Sequence, residues 1–142
     1  VEHPGAVAVI AIVEGKLILI RQFRKPAEDV LLEIPAGLIH KGETAPAAAR
    51  RELEEEAGYR AGSIREVISS FSSPGYSTEI IRYFLAKDLE KAEQKLEGDE
   101  VIEVELIPVN LLFSLIKSGK IRDNKTIIGC MIAERLIDGK LG

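Results

Sequence analysis

Two apolar runs, Ala6–Val13 and residues 17–23, are separated only by Glu14-Gly15-Lys16. Runs of this length rich in Val, Ile and Leu suit β-strands, and a glycine-containing connection this short sends the second back along the first as a hairpin. Each run is also interrupted well short of the roughly 18 apolar residues that a membrane-spanning helix requires. The chain therefore starts as a sheet whose apolar side chains need cover from elsewhere.

A third short strand fits residues 30–34, after which Pro35 and Gly37 break the pattern and start a loop. Residues 45–57 are rich in Ala, Leu, Glu and Arg, which favour helix. Thr44 suits the N-cap, Pro46 is tolerated in the first turn, and Gly58 stands where a left-handed terminating residue is wanted. Residues 64–71 and 80–86 read as strands around the turn Ser72-Ser73-Pro74-Gly75, and residues 101–107 as another. The acidic stretch 90–100 reads as a loop or a short irregular helix. Two helices follow, at residues 111–117 and 126–136, the second with an apolar stripe at Ile127, Ile128, Met131, Ile132 and Leu136. This order predicts an α/β fold in which a mixed sheet is covered by helices on both faces. At 142 residues, with 46% of them hydrophobic, the chain suits one domain over residues 1–142.

The net charge of -4 and the pI near 5.3 argue against general affinity for nucleic acid or an anionic membrane, both of which call for a basic surface. The lone Cys130, among Ile127, Ile128, Met131 and Ile132, excludes an internal disulfide and suits a buried helix face. With no signal peptide visible, the expected location is intracellular and cytoplasmic. The chain starts at Val1, directly before a strand, and the reading is that a segment upstream is missing.

The helix at residues 45–57 carries an unusual load of charge. Glu52, Glu55 and Glu56 are three and four residues apart and share one helical face. Like charges so spaced each oppose the helix by about 0.2–0.5 kcal/mol. They also lie in its last turns, where the helix dipole disfavours an anion by about 0.3–1 kcal/mol. A bound divalent cation reverses both effects, because Mg²⁺ or Mn²⁺ prefers hard carboxylate oxygens and is drawn to the negative end of a helix. Taken alone, a Glu triplet beside Arg50 and Arg51 is more often a solvated face.

The surroundings decide between these readings. Gly37, five residues, Glu43, seven residues, Arg51-Glu52-Leu53, one residue, Glu55-Glu56, one residue and Gly58 resemble the signature of the Nudix hydrolases at every fixed position. Tyr59 stands where an aliphatic residue is usual. The resemblance implies a Nudix α/β/α sandwich and hydrolysis of a nucleoside diphosphate linked to another group. It implies Mg²⁺ or Mn²⁺ as cofactor, with more than one ion per site. The implied metal ligands are Glu52, Glu55 and Glu56, the carbonyl of Ala36, and Glu100 on loop closure. Arg51 would hold the carboxylates by a salt bridge, Glu43 would support the loop, and Gly37 would let the backbone turn close to the metal.

Further residues resemble the ADP-ribose pyrophosphatase branch: Arg21-Gln22-Phe23-Arg24, Leu32-Glu33-Ile34-Pro35-Ala36-Gly37, and Pro74 sixteen residues past Gly58 with Glu79 following. The resemblance implies cleavage of ADP-ribose to AMP and ribose 5-phosphate, with Arg21, Arg24, Glu33, Pro74 and Glu79 at the substrate. Members of the branch carry a mobile acidic loop at residues 96–100, where Glu100 is the first choice and Glu97 the second for base or extra ligand. His3 and His40 have no zinc spacing and read as loop or surface residues. Tyr76, Tyr83 and Phe23 read as core or wall residues.

The branch also implies a homodimer in which upstream strands cross to the partner. Ala6–Val13, without them, is expected near an unprotected sheet edge. Two alternatives remain: a nucleotide-sugar pyrophosphatase acting on GDP-mannose, and a Nudix-fold sensor without turnover. Sensors of that kind commonly lose box carboxylates, and this chain keeps them all.

Overall fold

The computed structural model describes residues 5–24, 29–98 and 100–139, with the Arg24 side chain excepted; the expectations placed on Val1, His3 and the Arg24 side chain fall outside it. Seven strands form one mixed sheet: β1 (Ala6–Val13), β2 (Lys16–Arg24), β3 (Asp29–Glu33), β4 (Ala36–Leu38), β5 (Tyr59–Phe71), β6 (Ile80–Lys91) and β7 (Glu103–Pro108). The main path runs β3-β2-β1-β6-β5, with β4 joined to β1 and β7 to β2. Among the described residues only β1 and β6 pair in parallel; the other pairs are antiparallel.

The hairpin expected at Glu14-Gly15-Lys16 forms, with Val13 opposite Lys16. The expectation that β1 lies near an edge is overturned, because β1 bonds to β2, β4 and β6 and occupies the centre of the sheet. Its alternation explains why. Val7, Val9 and Ala11 face one core, and Ala8 and Ile10 face the other, all at 0% exposure. A strand whose two faces are both apolar needs cover on both, and each large side chain so buried stabilises the fold by about 1.5–3 kcal/mol.

The first core is closed by the helix α1 (Ala45–Glu52) and a π-helical turn, Leu53–Ala57, which contribute Ala45, Ala48, Ala49, Leu53 and Ala57. The second is closed by α2 (Leu112–Lys117) and α3 (Asn124–Ile137), which contribute Leu112, Cys130, Ile132 and Ala133. Helices thus cover both faces of the sheet. Among the described residues no helix is long and apolar enough to cross a membrane.

Several boundaries differ from the sequence reading. β5 starts at Tyr59 rather than at residue 64, and β6 runs to Lys91 rather than 86. The two form a long ribbon with one register shift between Glu66 and Ile68. Glu90 and Lys91 therefore belong to a strand, and the acidic loop begins after them. β7 starts at Glu103 rather than 101, leaving Val101 exposed at 78%. β4 forms inside a segment read as a loop. Tyr83 is buried as expected, but Tyr76 is 97% exposed and Phe23 59%, so neither of these two is a core residue.

Candidate active site

Thr44 Oγ1 accepts from Ala47 N at 3.2 Å and starts α1. Past Glu52 the helix widens into the π turn, a local form that recurs at functional sites. Gly58 ends it in the left-handed region, at φ 71° and ψ 40°. Glu54 turns towards Arg60 and Lys95, with N–O distances of 2.6 and 3.7 Å. Glu52, Glu55 and Glu56 instead line a cleft of about 200 Å³ together with His40, Arg51, Lys95, Leu96, Glu97 and Glu100. Four of the residues singled out on the helix and both on the acidic loop thus share one cavity. His40, assigned no role from sequence, joins them.

Arg51 organises the cluster. Its Nε donates to Glu43 Oε2 at 2.8 Å and its Nη2 to Glu43 Oε1 at 3.0 Å, a bidentate pairing. Its Nη1 donates to Glu52 Oε1 at 2.5 Å and to Glu55 Oε1 at 3.2 Å, while Nη2 also reaches Leu38 O at 2.9 Å. The hydrogen bonds from Arg51 hold the Glu43 carboxyl down at about 2. Glu52 moves the other way: burial pushes its carboxyl above the usual carboxylate range, against the pull of Arg51. A buried carboxylate next to another, Glu55, is costly to ionise without further positive charge.

Gly37 makes room for this arrangement, since a Cβ built there would overlap the Glu52 carboxylate. Ala36 N donates to Glu56 Oε1 at 2.9 Å, so β4 and the π turn are held side by side. Hard carboxylate oxygens around a side-chain-free backbone suit a divalent cation such as Mg²⁺. Among the described residues no three acidic or imidazole groups already converge on one point. Glu52 and Glu55 are held by Arg51, and Glu56 accepts from Ala36 N.

Beyond Gly37 two further clefts, of about 360 and 440 Å³, share Glu79, Ile81 and Lys125. Glu79 Oε1 accepts from Ser72 Oγ at 2.5 Å, at the base of the turn where Tyr76 N and Ser77 N bond to Ser73 O around Pro74. Pro74 itself shapes that turn and lines neither cleft. Glu33 is 2% exposed and paired at 2.8 Å with Lys125 Nζ, and it is Lys125 that lines these clefts. Arg21 is exposed and bonds through Nε to Glu105 on β7. The structure does not bring Arg21 to the acidic cleft.

Sequence reading missed the group around Lys125. Its Nζ also lies 3.0 Å from Asp123 Oδ2, which accepts from Thr126 N at 3.2 Å and from Thr126 Oγ1 at 2.7 Å as the N-cap of α3. Thr126 Oγ1 accepts in turn from Ile34 N at 3.1 Å. Burial works against the charge on Lys125, but Glu33 and Asp123 outweigh it and its ammonium titrates above the usual lysine value. The one available signal was Asp123 three residues before Thr126, an N-cap pattern.

The fold and the cleft together define an α/β/α sandwich with a carboxylate cluster at the end of a helix. Residues 2–128 match the NUDIX domain, and the chain belongs to that family. It is 45% identical over 129 residues to the ADP-ribose pyrophosphatase of Bacillus subtilis (strain 168), covering 89% of this chain and 70% of that protein. It is 44% identical over 131 residues to the methanol dehydrogenase activator of Bacillus methanolicus, covering 90% of this chain and 71% of that one. The crystal structure of an ADP compounds hydrolase superposes with a TM-score of 0.87 at 25% identity, covering 96% of this chain and 74% of the other.

Proposed function

We propose that this chain hydrolyses the pyrophosphate bond of ADP-ribose, with a divalent cation, to give AMP and ribose 5-phosphate. The observation that carries the chemistry is the single cleft in which Glu52, Glu55 and Glu56 face Glu97 and Glu100 around Arg51. The substrate reading is supported by the relatives named for ADP-ribose and ADP compounds.

Glu52, Glu55 and Glu56, with the carbonyl of Ala36, are the groups that would hold the metal, Mg²⁺ or Mn²⁺ and more than one ion. Bound there, it would neutralise phosphate oxygens and lower the pKa of a water molecule. The chain's own part is placement. Arg51 fixes the orientation of two carboxylates at once, and Glu43 fixes Arg51. Glu100, or Glu97 in its stead, accepts the proton of the attacking water or adds a ligand. Glu79 lines the substrate clefts and Pro74 shapes the turn beside them, Glu33 acts by holding Lys125, and Arg24 supplies positive charge to the substrate.

The active species is a homodimer located in the cytoplasm. With β1 central, support for the dimer rests on exposed apolar residues elsewhere. Phe23 and Val30 pair across β2 and β3, at 59% and 48% exposure, and Phe71 and Ile80 pair across β5 and β6, at 58% and 39%. Self-association would cover such positions by two-fold symmetry.

Steady-state hydrolysis with Mg²⁺ of ADP-ribose, ADP-glucose, GDP-mannose and ATP tests the substrate. The expected result is the highest kcat/KM for ADP-ribose. A best rate with GDP-mannose or with ATP overturns that specificity, and no turnover of any of them overturns the proposal. Glu100→Gln should lower kcat far more than it raises KM, because the interaction lost belongs to the transition state.

A further inference from the structure

The segment between β6 and β7 is tied to the end of the acidic helix by three groups. Ala92 N donates to Gly58 O at 2.8 Å and Lys95 N to Glu55 O at 2.9 Å. Between them, Gln94 Nε2 donates to Glu56 O at 2.6 Å and to Ile102 O at 3.1 Å. The Gln94 contact differs in kind. One side chain joins the backbone of Glu56, whose carboxylate lines the acidic cleft, to the backbone at which the acidic loop returns to the sheet. Both neighbours are carbonyl oxygens, which only accept, so the amide NH₂ is the group that serves and both its hydrogens are used.

The loop itself is closed on its own atoms. Glu100 N donates to Glu97 O at 3.1 Å, and Glu97 N donates to Glu100 Oε1 at 2.9 Å. Glu97 and Glu100 both line the cleft, and Lys95 and Ile102 are the points on either side of them that bond towards the acidic helix. Lys95 is bonded to Glu55 O, and Ile102, its side chain buried in the first core, has its carbonyl held by Gln94.

We propose that Gln94 is a positioning residue that sets the separation between the carboxylates on the helix and those on the acidic loop. It rests on the reading of Glu97 and Glu100 as groups that act on substrate or metal. Gln94 lies outside the acidic cleft and lines a separate hollow with Gly58, Lys91 and Glu103, so its effect on rate runs through geometry.

The test compares Gln94→Met, which keeps length and removes both donated bonds, in the wild-type chain and in a chain carrying Glu97→Gln and Glu100→Gln. ADP-ribose and Mg²⁺ are the probes, and thermal melts establish that each variant is folded. Gln94→Met should lower kcat about tenfold in the wild type with KM within about twofold, and less than about twofold in the loop variant, because groups acting as a unit are not additive. Gln94→Lys, which keeps a donor, should hold kcat within about threefold of wild type. Wild-type kcat for Gln94→Met, or an equal loss in both backgrounds, overturns the proposal. Full activity of the loop variant by itself removes the acidic loop from the reaction, and with it the reading on which the proposal stands.

Discussion

The Glu52 carboxylate occupies the space that a side chain at Gly37 would need. Gly37→Ala must therefore displace either β4 or Glu52. Overpacking of this kind costs about 1–3 kcal/mol, and most of the relief comes from rotating Glu52 out of the cleft. The expected outcome is a larger fractional loss of kcat than of stability, read from kinetics with ADP-ribose and from thermal melts without metal.

Glu52→Gln and Glu56→Gln, made separately, should each lower kcat by at least about a hundredfold, since losing a charge that stabilises the transition state costs about 3 kcal/mol. In EDTA both variants should be as stable as the wild type or slightly more so, because each removes a like-charge neighbour from the end of the helix. Near-normal turnover of both at saturating Mg²⁺ would defeat the ligand assignment.

Acid stability should depend on Glu43. Its carboxyl titrates at about 2 in the fold against an ordinary 4.5, a depressed value. The unfolded chain thus binds the proton more readily, and the stabilisation is complete above about pH 4.5 and is lost as pH falls towards about 2. Urea unfolding at successive pH values across that window should show a steeper loss for the wild type than for Glu43→Gln. Parallel curves would mean that the Arg51 pairing adds nothing to stability.

Lys125→Met should destabilise the fold by about 3 kcal/mol, because it takes away the cation that faces a carboxylate 2% exposed. Adding Glu33→Gln to that variant should restore much of the loss. Chemical denaturation of the two variants checks both statements, and a double variant no better than the single one would assign the effect to lost packing.

Sequence revealed the local features of this molecule far better than the distant ones. The hairpin at Glu14-Gly15-Lys16, the Thr44 cap and the Gly58 terminus are set within a few residues, and the structure has them as expected. The parallel pairing of β1 with β6 joins Ala6 to Ile81, and no local pattern announces it; it fills the edge that β1 was expected to have without upstream strands. The carboxylates were singled out by the fixed-spacing resemblance that runs from Gly37 to Gly58, since their spacing alone suits a solvated face equally well, and the structure gathers Glu52, Glu55 and Glu56 along one cleft. Lys125 was not, because its partner Glu33 is 92 residues away and the pair exists only once α3 has docked. The π turn was equally hidden, as its composition is that of an ordinary helix.

The central place of β1 also governs the order in which the chain is completed. The parallel partner of β1 lies at residues 81–86, so a nascent chain emerging from the ribosome carries this all-apolar strand with one flank open until those residues have been made. Non-local pairings of this sort close late, since the loop entropy has to be met before the contact forms. During that interval β1 is the segment most ready to bond to a foreign strand. Amides of β1 should be the slowest to exchange in the finished molecule, and the same residues the most exposed to aggregation before it is finished.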